Sequence, residues 1–250
     1  GIRRIGFDCR NSKEAEITGK RWFPYMKGGG FRRWYGNQEY VVNWERDGEE
    51  MRSFVPSVIR NPDYYFRRGV TYSYLTSGNF SARISPGGFI FDVAGSSLFP
   101  DDISLILAVL NSRFALYALR LINPTVNFQV GDLARLPVPR ASSDSLRNLV
   151  EQAIALAKAD SEDDETTWDF IAPPGWPDGI SKVAERHTQL AEIERQIDDL
   201  FGGRFAFFPL TPVGLDGRGE TDLSLRTISP FGLLEPLLWL LQMTGYPVLQ

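Results

Sequence analysis

The sequence predicts an α+β fold: a mixed, strand-rich recognition domain over residues 1–140, then a helical spacer over 141–204. Three observations carry this. The first hundred residues are rich in Gly, Ser, Tyr, Trp and Phe and form short apolar runs broken by turn residues. Sustained helical periodicity begins only at Asp101. Charge and aromatic content both change character near residue 140. Residues 205–250, apolar and punctuated by Pro and Gly, form a tail to which the sequence assigns no role.

Taken in order, Glu39–Trp44 nearly alternates polar and apolar residues and reads as a strand, closed by the Asp47-Gly48 turn signal. Val70–Tyr74 is β-branched and aromatic, and Ser77-Gly78-Asn79 ends it. Phe89–Val93 reads as a buried strand after Pro86-Gly87-Gly88. Apolar residues at Ile103, Ile106, Leu107, Leu110, Phe114, Tyr117 and Leu121 predict one helix from Asp101 to Ile122, stopped by Asn123-Pro124. Leu136-Pro137-Val138-Pro139 is extended, since each proline disfavours helix in the residue before it. Further helices are predicted over Ser145–Ala159 and Ser181–Phe201, with seven-residue spacing of Val183, Leu190 and Ile197 in the second.

Net charge divides sharply. Residues 1–140 hold 19 Lys+Arg against 13 Asp+Glu, a balance of +6; residues 141–250 hold 8 against 18, a balance of −10. Of 32 aromatic residues, 22 precede residue 141. Polyanion binding is therefore expected only of the first part. One cysteine, Cys9, and one histidine, His187, leave no internal disulfide and too few ligands for a structural zinc. His187 lies in a charged helical stretch and reads as a helix-surface residue. The apolar run Phe231–Leu241 is broken by Glu235 and Pro236 and is shorter than the roughly 20 residues of a membrane helix. With no leader visible, the chain is expected to be soluble and cytoplasmic, and its start at Gly1 suits a segment of a longer protein.

Four stretches could carry function. In Lys20–Tyr25 with Lys27, Gly28-Gly29-Gly30 and Phe31–Tyr35, cations and aromatics alternate around three glycines. That pattern suits phosphate neutralisation and close backbone approach, and it equally suits an aromatic core with snorkelling cations. It is not a nucleotide-binding loop, because no Gly-Lys-Ser/Thr follows. Asn61-Pro62-Asp63-Tyr64 resembles the catalytic Asn-Pro-Pro-Tyr of amino-methyltransferases but lacks the second proline; a turn flanked by Arg60, Arg67 and Arg68 is the favoured reading. Thr76–Arg83 offers short polar side chains and an arginine on a turn, either base-reading or simply a hairpin loop. In Asn123–Asp132, the Asn and Gln side chains can pair with adenine or satisfy backbone at a helix end. No Glu-x-Lys or Gln-x-Lys occurs, so the common nuclease signature is missing, and no catalytic or metal-binding residue is assigned.

At these residues the sequence resembles the PglX (BrxX) adenine-specific DNA methyltransferases of BREX phage-defence systems, relatives of fused type II restriction-modification enzymes. The resemblance runs in order over roughly residues 5–170. It includes Arg21–Gly29, Phe31–Asn37, Tyr40–Trp44, Arg60–Phe66, Gly78–Arg83, Gly88–Ser97, Asn123–Asp132 and Glu165–Phe170. It departs at Met26 and Gly30, where members usually carry Asn and an acidic residue, and it fades after about residue 204.

The resemblance implies a target-recognition segment downstream of a methyltransferase core. That core holds S-adenosylmethionine and flips and methylates an adenine of double-stranded DNA. This segment itself would hold no cofactor and be inactive alone, acting with the core in cis or in trans. Phosphate contacts are expected from Lys20, Arg21, Lys27, Arg32, Arg33, Arg67 and Arg68, and base-edge contacts from Asn37, Ser77, Asn79 and Arg83. The alternatives are a module docking another defence subunit or a phage inhibitor, and a separate specificity subunit.

Overall fold

A computed structural model describes residues 4–76, 78–140, 142–175 and 178–202. Ser77 and the tail over 205–250 lie outside the described residues. The fold is α+β, with two three-stranded sheets and seven helices among the described residues.

The first sheet has the order β2-β1-β5, with β1 Trp22–Met26 central, β2 Tyr40–Asn43 antiparallel to it and β5 Ile90–Phe91 parallel. The basic-aromatic stretch around Trp22 is therefore a strand, which its Pro24 obscures in the sequence, because proline cannot donate to a ladder. On the β5 side, pairing starts only at Tyr25, and Ile5 bridges only at Trp22, so Pro24 falls between the two. Helices α1 Ser12–Ile17 and α2 Glu45–Ser53 lie beside this sheet. The Asp47-Gly48 turn is realised inside the bounds of α2: Arg46, Asp47 and Gly48 have φ of 52°, 56° and 74° and form a left-handed turn before the helix proper. A small core of Cys9, Ala15, Phe23, Trp44, Tyr65, Phe66 and Ile90 fills this unit.

The second sheet has the order β4-β3-β6, with β3 Gly69–Tyr72 between β4 Ala82–Ser85 and β6 Ser97–Leu98, all antiparallel. Ala82–Arg83, expected in a turn, belongs to a strand. Trp34 extends this sheet beyond β4: its N–H donates to the Ala82 carbonyl at 3.0 Å, and Ile84 N–H donates back to the Trp34 carbonyl at 2.9 Å.

The helix expected over Asp101–Ile122 is two helices, α3 Ile103–Asn111 and α4 Arg113–Ile122, set at 68°. Ser112 breaks them. Its backbone is extended (φ −73°, ψ 155°), and its hydroxyl accepts from Ala115 N–H at 3.2 Å as the N-cap of α4. Asn111 fixes the end of α3 by exchanging hydrogen bonds with both backbone groups of Ala82, at 3.0 and 2.9 Å. Apolar spacing continues across the break, so periodicity alone does not reveal it. A short helix α5, Val130–Leu133, precedes the long helices α6 Asp144–Glu162 and α7 Asp178–Gly202.

These last helices share one core with the second sheet. Trp34, Val70, Tyr72 and Ile84 from the strand-rich part join Leu107, Leu110 and Leu119, together with Leu146, Val150, Ala153, Ile193, Ile197 and Phe201 from α6 and α7. Trp168, in the loop between α6 and α7, reaches the first unit and packs against Phe7 (5.6 Å) and Phe89 (6.1 Å). No single described helix is long and apolar enough to cross a membrane.

Candidate nucleic-acid interface

The basic-aromatic stretch divides by where its cations point. Arg21 lies over the Trp22 ring at 5.4 Å and pairs with Glu50 at 3.2 Å. Lys27 is exposed and lies over the Tyr40 ring at 5.6 Å. Lys20 is half-buried. Arg32 and Arg33 turn towards the acidic helices: Arg32 approaches Asp160 and Asp164, each at 3.6 Å, and Arg33 pairs with Glu194 at 2.5 Å. The neighbouring aromatics do the same. Trp34 Nε1–H donates to Glu194 at 2.7 Å, and the Tyr35 hydroxyl donates to Asp169 at 2.7 Å. Burial raises the Glu194 and Asp198 carboxyls above their ordinary range, against the pull of Arg33 and Arg113. Part of the +6/−10 charge division is thus neutralised within the fold.

The stretch around Tyr64 differs. Pro62–Tyr64 forms a 3-10 turn entered through Asn61 in the left-handed region (φ 51°). Arg60, Arg67 and Arg68 are exposed and have no carboxylate partner among the described residues; Arg67 lies over the Tyr64 ring at 4.9 Å. Tyr64 is itself exposed and packs on Phe99 at 5.1 Å.

The expected base-edge residues scatter. Asn79 is half-buried and accepts from Arg120 at 2.6 Å. Asn37 is buried, and its amide donates to the Gly30 carbonyl at 2.8 Å. Arg83 has no exposed surface at all. For Asn37 and Arg83 the base-edge expectation is therefore corrected: strand alternation and loop packing turn both side chains inward, away from any groove. In the Asn123–Asp132 stretch, the Asn123 amide donates to the Asn127 carbonyl and to Asp132, and Gln129 and Asp132 form a capping box, so these groups satisfy local backbone. His187 is exposed on α7, 3.2 Å from Asp160. No group of three or more His, Cys, Asp or Glu is placed to hold a metal among the described residues.

The buried polar set Thr71, Ser73, Arg83 and Ser85 was not singled out from the sequence as a group. The alternation of β3 and β4 was the signal that could have found it.

No protein-family model matches the chain. Two curated proteins do. Adenine-specific methyltransferase BrxX of Escherichia coli O9:H4 (strain HS) is 42% identical over 166 residues, covering 64% of this chain and 14% of that protein. Adenine-specific methyltransferase PglX of Lacticaseibacillus casei (strain Zhang) is 40% identical over 198 residues, covering 73% of this chain and 16% of that protein. The chain thus corresponds to about a seventh of the length of these relatives, and it is homologous to that segment of the BrxX and PglX adenine-specific methyltransferases.

Proposed function

We propose that this chain is the DNA target-recognition segment of an adenine-N6 DNA methyltransferase in phage defence, working in the cytoplasm. S-adenosylmethionine and the reacting adenine are held by a catalytic core outside these residues. The homology to adenine-specific methyltransferases carries this reading. The exposed arginines without carboxylate partners support it, since such cations remain available for phosphates.

Arg67 and Arg68, with Lys27, then form the phosphate-facing set, and Arg32 and Arg33 hold the recognition part to its helices. Fluorescence anisotropy of this chain on random duplex DNA across a salt titration tests the reading. Binding at micromolar concentration that falls steeply with salt is expected, and Arg67→Gln/Arg68→Gln lowers the slope of log K against log salt by about 2. Absence of binding at low salt removes DNA recognition by this segment alone.

One observation favours a second reading. Phe54, Val55 and Val58 are 62%, 94% and 71% exposed on one short stretch, an apolar surface suited to a protein partner. Binding that persists at high salt, to a methyltransferase core supplied separately, would favour it.

A further inference from the structure

The sheet β4-β3-β6 has two unlike faces, because successive strand residues point to opposite sides. Val70, Tyr72, Ala82 and Ile84 face the main core. Thr71, Ser73, Arg83 and Ser85 face the other way and are nevertheless buried. Backbone covers Thr71 and Ser73. Thr71 Oγ1 lies 3.2 and 3.1 Å from the carbonyls of Gly95 and Ser96, and Ser73 Oγ donates to the Gly29 carbonyl at 3.0 Å. So close an approach requires glycine: a Cβ on Gly28 would lie 2.4 Å from the Ala94 carbonyl oxygen, and one on Gly95 would lie 2.4 Å from that of Met26.

Two features, one on this face and one in the loop beside it, have no packing explanation. The first is Arg83. Its Nη2 donates to Ser73 Oγ at 3.2 Å, but its Nε and Nη1 have no partner, and no carboxylate pairs with it among the described residues. Burial lowers its pKa to about 10, with Glu39 opposing. A buried cation with unanswered donors is costly unless a counter-charge completes it. The second is Gly30. It is exposed, its φ is not in the left-handed region, and an added Cβ would meet nothing within 4 Å. The two are close: Arg83 reaches Ser73, Ser73 reaches Gly29, and exposed Lys27 and Arg32 flank the three glycines.

We propose that the Gly28–Gly30 loop is a phosphate-binding site backed by Arg83. A phosphate oxygen rests on the exposed backbone of Gly29 and Gly30 beside Lys27, and the Arg83 guanidinium beneath the loop supplies the counter-charge. Arg83 is then a positioning residue acting across the loop. Weak screening in the interior lets its charge act there. This rests on the DNA reading above in one respect: the phosphate is assigned to the backbone of duplex DNA.

Two arms, applied to the whole chain, separate the site from that reading. In the first, thermal unfolding is followed in inorganic phosphate and in chloride at equal ionic strength. Phosphate should raise the melting temperature of wild type and fail to raise that of Arg83→Met or Gly30→Ala. Gly30→Ala keeps the test open if Arg83→Met does not fold, because its methyl meets only open space. In the second, the salt slope of duplex binding should fall by about 1 in either variant.

Equal phosphate effects in all three proteins, or none in any, overturn the site. DNA binding with an unchanged slope in both variants also overturns it, while leaving DNA recognition intact. Selective phosphate stabilisation without DNA binding upholds the site, moves its ligand to a free phosphate compound, and sinks the DNA reading.

Discussion

Two arginine pairs of near-identical local composition end in opposite environments. Arg32-Arg33, followed by Trp34-Tyr35, turns inward: both cations and both ring donors meet Asp160, Asp164, Glu194 or Asp169. Arg67-Arg68, preceded by Tyr64-Tyr65-Phe66, stays at the surface with no carboxylate partner among the described residues. Each stretch reads as basic-aromatic, and only one leaves its cations free. A positive stretch marks a nucleic-acid surface only after the charges that the fold already answers have been subtracted.

That contrast can be broken most severely by removing the helices that hold the inward pair. A chain ending at residue 140 loses Leu146, Val150, Ala153, Ile193, Ile197 and Phe201 from the shared core. At about 1.5–3 kcal/mol for each large apolar side chain, this is comparable to the whole stability of a typical domain, about 5–15 kcal/mol. Such a chain is expected to lack a cooperative unfolding transition by circular dichroism. A sharp two-state transition would show residues 1–140 to be an independent domain.

A milder break is Glu194→Ala, which deprives Trp34 Nε1 and Arg33 of their shared acceptor. It should cost about 1–3 kcal/mol in urea denaturation. Glu194→Gln, which keeps an acceptor for the indole, should cost less. Equal losses would mean that charge rather than the Trp34 hydrogen bond matters at this contact.

DNA binding sharpens the contrast without touching the core. Arg67→Gln/Arg68→Gln should reduce affinity with little change in stability, whereas Arg32→Gln/Arg33→Gln should lower stability and leave a larger part of the salt slope. The reverse pattern would return the inward pair to the interface.

The smallest effect is in pH. Burial holds the folded-state pKa of Glu194 above its ordinary 4.5. The folded state then binds the proton more tightly than the unfolded chain, so this group's contribution to stability falls as pH rises from about 4.5 through the raised value. Glu194→Gln removes that fall. The stability of the variant relative to wild type should therefore improve as pH rises across this window, in denaturation curves taken at several pH values. A constant difference would show that Glu194 titrates normally.

Much of the fold was legible locally. Tyr40–Asn43, Gly69–Tyr72, Asp144–Glu162 and Asp178–Gly202 follow the residues that announce them, because alternation, helical spacing and caps act within a few positions. The break at Ser112 was missed because the cap sits inside an uninterrupted apolar period. The strand at Trp22–Met26 was missed because Pro24 weighs against any central strand.

The sequence by itself determined the α+β class, most element types, the opposite charges of the two halves and the kinship with adenine-specific methyltransferases. Tertiary structure alone decided which charges remain available. Arg33 meets Glu194 across 161 residues of chain, and Arg83 is buried beneath a glycine loop more than fifty positions before it. Secondary structure is written in neighbours along the chain. The environment of a charge is set by whatever the fold packs against it, and no local pattern records that.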